Sequence, residues 1–123
     1  MAVIGIGVDV CEIARVGRLL GRSPRAGERL FTAHELAYAG TGPVAATRLA
    51  ARFAAKEAVV KTLGGAAAGM TWHDVSVHSD GAAPRLVVSG AVAERAAALG
   101  VRFWHLSLSH DAGVAVAVVV AES

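Results

Sequence analysis

Hydrophobic and polar positions alternate from Ala2 to Cys11, with Ile4, Ile6, Val8 and Val10 on one side of an extended chain and Gly5, Gly7, Asp9 and Cys11 on the other. This pattern predicts a strand. Glycines beside a lone carboxylate let another backbone or a ligand come close, so Asp9 is a candidate metal or phosphate-site residue, with room left for ligand. The competing reading is an acid that ends the strand and caps the next helix. From Glu12 to Leu20 the period becomes helical, with Ile13, Val16 and Leu20 on one side. Arg15, Arg18 and Arg22 share a continuous face of that helix, and Pro24 separates them from Arg25 and Arg29. Thr32-Ala-His-Glu35 fits a capping box and predicts a short helix through Leu36 to Ala39.

The strongest helical stretch is Arg48 to Gly64, built from Ala, Leu, Arg, Lys and Glu, with Pro43 suited to a first turn and Gly64-Gly65 to a stop. It predicts roughly five turns. At about 100° per residue, Leu49, Phe53, Val60 and Leu63 form one stripe, with Lys56 inside it and Glu57 and Lys61 along its edge. Gly65-Ala-Ala-Ala-Gly69 reads as a flexible loop or as backbone that closes over a ligand. Strands follow at Val75 to His78 and Arg85 to Ser89 around an Asp80-Gly81 turn, then a helix from Ala91 to Leu99. Two further strands, Phe103 to Ser109 and Val114 to Val120, are joined by His110-Asp-Ala-Gly113, and the last is apolar on both faces, predicting burial on both.

A chain of 123 residues without a linker or repeat is one domain, residues 1–123. Hydrophobic residues make up 54%, more than a single copy readily hides, which points to an oligomer. No apolar run approaches the roughly 20 residues of a membrane span, and Asp9 and Glu12 interrupt the N-terminal run too early for a secretory signal, so a cytoplasmic protein without membrane contact is expected. Cys11 is the only cysteine, which excludes an internal disulfide and reads as a small buried hydrophobe. The net charge is only +2, yet five of the ten arginines lie between Arg15 and Arg29, opposed only by Glu28. Such a ridge docks an acidic protein surface or nucleic acid phosphates, or simply stays solvated.

Three polar clusters carry candidate chemistry: Asp9 with Glu12, Arg52 through Lys61, and Ser107 through Asp111. Acids without clustered His or Cys suit a hard cation held by oxygen, and Mg²⁺ is usually completed by substrate phosphates. Glu57 and Lys61, four apart, either converge on a ligand or form an ordinary surface ion pair. His110 and Asp111 sit at a strand end, aimed by the strand. Ser107 and Ser109 lack a nucleophile elbow.

Gly5-Ile-Gly-Val-Asp-Val-Cys-Glu-Ile-Ala-Arg15, Arg52-Phe-Ala-Ala-Lys-Glu-Ala-Val-Val-Lys61 and His105-Leu-Ser-Leu-Ser-His110 resemble, in this order, the three signature blocks of the holo-[acyl-carrier-protein] synthases, the small bacterial 4′-phosphopantetheinyl transferases. The resemblance runs from Ile4 to Val120. It implies an α+β fold with an antiparallel sheet packed on a long central helix, a trimer with sites at subunit interfaces, and transfer of phosphopantetheine from coenzyme A to a serine of an apo acyl carrier protein. By the same resemblance Asp9 and Glu57 are Mg²⁺ ligands, Lys61 lies on the pyrophosphate and His110 serves the site; Asp111, added for its place at the strand end, completes the expected catalytic set of Glu57, Lys61, His110 and Asp111. Coenzyme A contacts are implied at Asp9, Arg48, Arg52, Lys56, Glu57, Lys61, Gly64, Ser109 and His110, and Arg15, Arg18, Arg22 and Arg25 dock the acidic carrier. His110 then serves a site whose metal ligands belong to a neighbouring copy. Cys11 stands at a position more often aliphatic, and the Gly65 to Gly69 loop departs from the usual pattern. Charge neutralisation and in-line positioning are what a pyrophosphate needs for attack. His110, Asp111, Glu57 and a metal-bound water remain candidate bases for the serine proton. A different class of protein, a basic nucleic-acid-binding module, predicts salt-sensitive binding without coenzyme A, but the ridge lacks interleaved aromatics.

Overall fold

The computed structural model describes residues 1–81 and 83–123. Strand β1 (Val3–Glu12) pairs antiparallel with β5 (Val114–Glu122), and β5 pairs antiparallel with β4 (Phe103–Asp111), giving a three-stranded sheet of order β1-β5-β4. Between them in sequence come helices α1 (Ile13–Arg22), α2 (Pro24–Leu30), α3 (Ala33–Ala39) and α4 (Pro43–Thr62), a short β2–β3 ribbon (Val75–His78, Arg85–Val88) and α5 (Gly90–Ala98). The arrangement is α+β, and α4 lies across one face of the sheet.

Pro24 acts as expected: α1 ends at Arg22, and Ser23 caps α2, its side chain accepting from the Ala26 amide. The capping box at α3 is also present, with Thr32 and Glu35 each satisfying the other's backbone amide. Helix α4 is buried nearly all round rather than along one stripe. Its alanines at 50, 54, 55 and 58 are fully enclosed, whereas Phe53 and Val60 are only half-buried.

On β1 the small residues face inward. Gly7, Asp9 and Cys11 are buried against α4, while Ile6, Val8 and Val10 are 66%, 52% and 59% exposed. The glycines admit α4 itself, not a ligand. A Cβ at Gly7 would lie 2.0 Å from the Ala58 carbonyl oxygen, and one at Gly5 2.3 Å from that of Thr62. On β5 only Ala115, Ala117, Val119 and Ala121 are buried, and Val118 on the opposite face is 38% exposed, so the expected burial on both faces does not hold within one chain. The β4–β5 connection is tighter than His110 to Gly113: the strand runs through Asp111, and Ala112 and Gly113 turn with φ of 51° and 81°.

Candidate active site

Asp9 leaves the inner face of β1 where α4 passes, 9% exposed, and its Oδ1 accepts from Lys61 Nζ at 2.8 Å. Lys61 also donates to the Val8 carbonyl at 3.1 Å. The i,i+4 ion pair between Glu57 and Lys61 is therefore not what the fold builds; the ammonium reaches across to the strand. Glu57, one turn earlier on α4, is half-buried beside Asp9. Burial first, and then the neighbouring Asp9 carboxylate, push the Glu57 carboxyl above its ordinary range. Two hard oxygen donors held together at electrostatic cost, from two rigid elements, suit a divalent cation. Among the described residues no group of three His, Cys, Asp or Glu is placed to hold a metal, so a cation here needs its remaining ligands from substrate phosphates and water.

A second polar centre lies elsewhere on α4. Arg48 and Arg52 line a cavity of about 510 Å³ together with Tyr38, Ser79 and His110. Arg52 is 4% exposed; it donates to Ser79 Oγ at 2.9 Å and to the Arg48 carbonyl at 3.2 Å, and its Nε has no partner. From Arg52 to Lys61 the helix rises roughly 13 Å, and Glu57 points about 140° away from Arg52 around the axis. One chain thus brings together Asp9, Glu57 and Lys61, and separately Arg48, Arg52 and His110, but does not join the two groups.

Lys56 is not available to a nucleotide. It is fully buried, with Nζ 2.7 Å from Glu35 Oε1 and donating to the carbonyls of Trp72, at 2.9 Å, and Val75. Glu35 is equally enclosed and also accepts from the Thr32 and Val77 amides, each at 2.9 Å. Burial lowers the Lys56 ammonium pKa, and Glu35 opposes that fall. The anionic neighbour is a residue of the same chain, so the coenzyme A contact expected of Lys56 is corrected to a structural role. Sequence reasoning read Glu35 only as a helix cap; its burial depends on the distant Lys56 and carries no local signal. Tyr38, exposed on the short α3, was also not singled out.

Arg15, Arg18 and Arg22 stand exposed on α1, and Arg25 and Arg29 on α2. Arg18 makes a solvent-exposed pair with Glu12 at 3.2 Å. Arg15 also borders a cavity of about 210 Å³ floored by Cys11 and Phe53. Cys11 is buried, 6% exposed, and burial raises its thiol pKa, as befits a packing residue. Gly64, with φ of 83°, ends α4. Ser109 lies opposite Val116 on the open face of the sheet. Asp111 Oδ1 accepts from the Ala112 amide at 2.8 Å, committing that oxygen to the turn. No helix is long and apolar enough to cross a membrane among the described residues.

Residues 5–119 match the family model described as the 4′-phosphopantetheinyl transferase superfamily. The chain is 54% identical over 123 residues to the holo-[acyl-carrier-protein] synthase of Streptomyces coelicolor, covering 99% of each. It is similar in structure to the solved holo-[acyl-carrier-protein] synthase of Neisseria meningitidis, with TM-score 0.83 and 30% identity over 99% of this chain and 100% of that one. The Helicobacter pylori holo-[acyl-carrier-protein] synthase, solved in complex with coenzyme A, gives TM-score 0.81 and 30% identity over 95% and 99%.

Proposed function

The chain belongs to the 4′-phosphopantetheinyl transferase superfamily, and from that premise we propose that it moves the 4′-phosphopantetheine group of coenzyme A onto a serine of an apo acyl carrier protein in the cytoplasm. The observation that carries the reading is the convergence of Asp9 from β1 with Glu57 and Lys61 from α4. Asp9 and Glu57 would hold Mg²⁺, which when bound neutralises the charge of the pyrophosphate. Lys61, its side chain 55% exposed, is free to turn from Asp9 and stabilise the departing phosphate. The serine oxygen attacks the phosphorus bearing pantetheine while the bond to the nucleotide phosphate breaks, releasing adenosine 3′,5′-bisphosphate. Such a transfer asks the protein for position and charge rather than a covalent intermediate.

Two further features support the reading. The exposed Ile6, Val8, Val10 and Val118 make an apolar sheet face that other copies would cover, in a trimer. Packing there would bring Arg48, Arg52 and His110 of one copy toward the acids of the next, as the nucleotide's cationic wall. Arg15, Arg18, Arg22 and Arg25 offer a dock for an acidic carrier beside Asp9. Incubation with coenzyme A, Mg²⁺ and apo carrier, read by intact mass, tests the proposal. One added phosphopantetheine is expected, and several carriers left unmodified would overturn it.

A further inference from the structure

The cavity lined by Arg48 and Arg52 presents an unusual charge problem. Two guanidinium groups sit one turn apart on α4, one of them almost wholly enclosed, and among the described residues neither makes an ion pair with a carboxylate. Like charges this close repel, and a buried unpaired cation is costly. An acidic partner is the usual remedy, but a carboxylate in the cavity would compete with any anion that enters. The structure uses an aromatic face instead. The Tyr38 ring lies 4.3 Å from the Arg52 guanidinium carbon and 5.2 Å from that of Arg48, and Arg48 Nη1 donates to the Tyr38 and Ala39 carbonyls, each at 3.4 Å. A ring quadrupole attracts cations without neutralising them. The cavity keeps its positive charge, and Arg52 Nε still lacks a partner.

We propose that Tyr38 is a positioning residue for the nucleotide end of coenzyme A: its ring holds Arg48 and Arg52 in place, uncompensated, for an incoming phosphate. This rests on the transferase reading above. It assigns to the end of α3 a part in substrate binding that neither metal ligation nor carrier docking involves. The Tyr38 hydroxyl also favours the charged Arg52, but the ring face is the contact that both guanidinium groups share, so Tyr38→Phe should retain most of the function. Tyr38→Leu removes the quadrupole but keeps an apolar side chain. Tyr38→Glu keeps the arginines ordered but cancels their charge.

The test measures steady-state KM for coenzyme A and for carrier, and inhibition by adenosine 3′,5′-bisphosphate, in the three variants, with thermal unfolding as a check on folding. Tyr38→Phe is expected within about twofold of wild type, and Tyr38→Leu to weaken coenzyme A and the bisphosphate alike by roughly tenfold, with kcat and the carrier KM unchanged. Tyr38→Glu should weaken both further. A Tyr38→Leu protein with wild-type coenzyme A KM overturns the proposal. So does an equal rise in the carrier KM, a Phe variant that behaves like Leu, or a Glu variant that binds the bisphosphate normally. A wild-type protein that cannot use coenzyme A sinks the transferase reading and this one together, whereas an active wild type beside a Tyr38→Leu variant with unchanged coenzyme A KM sinks this one alone.

Discussion

Glu57 is held with its carboxyl above the ordinary range by burial and by Asp9, so it stabilises the cation-free fold only while protonated. That contribution is fully present below the unfolded value near 4.5 and is lost as pH rises through the raised folded value. Glu57→Gln should therefore unfold at a higher temperature than wild type at neutral pH, with the gap closing toward about pH 4, while transfer falls to background. Calorimetry across that range checks the sign; a variant less stable than wild type at neutral pH contradicts it. The buried Lys56–Glu35 pair makes a second prediction. Lys56→Met strands a buried carboxylate and should cost about 3–5 kcal/mol, and adding Glu35→Gln should recover part of the loss, since breaking one partner is worse than removing both charges. Denaturant midpoints decide this, and a double variant no better than the single one refutes it. Asp9, Glu57 and Lys61 stand out in the sequence because charged residues there interrupt apolar elements, but their assignment to one site came from the family resemblance of the blocks that hold them. The enclosure of Lys56 was not, since its partner lies on another helix and the helical wheel records only that a charge faces the core.

At the scale of elements, the strands and most helices followed from period, caps and breakers, and the long helix from its composition; α2 did not, because Pro24 read only as the break after α1 although it also opens the seven-residue helix that Ser23 caps. Which face of each is covered did not follow. Alternation on β1 defines two faces equally well, and the bulkier one, Ile6, Val8 and Val10, is the one left open in the single chain. Alanine gives α4 no orientation of its own: with Ala50, Ala54, Ala55 and Ala58 all enclosed, close backbone approach to β1 decides the contact. That approach sets the distance between Asp9 and Glu57, so it can be tested through Gly7. Gly7→Ala forces the Ala58 carbonyl away and should lower stability by roughly 2–3 kcal/mol, with the denaturant m-value unchanged. A neutral Gly7→Ala would mean that helix and strand are not in such contact.

For the whole molecule, the open sheet face and the separation of the two charged centres support the same arrangement of copies. Val8→Asp places a charge on that face without touching Asp9's own contacts on the inner side. Sedimentation should show it reduced to single chains, and activity should fall with the assembly; a variant that keeps the wild-type size would separate the sheet face from association. The fold itself, α+β with an antiparallel sheet on a central helix, agrees with the family resemblance carried by the three sequence blocks. The cavity around Tyr38 is a property of the assembled chain and had no linear signature. The most direct measurement on the reaction centre is Mn²⁺ binding, followed by electron paramagnetic resonance with adenosine 3′,5′-bisphosphate present, in wild type, Asp9→Asn and Glu57→Gln. Asp9 and Glu57 acting as joint ligands predict one bound ion per chain in wild type and its loss in both variants; retention of wild-type affinity by either variant contradicts them.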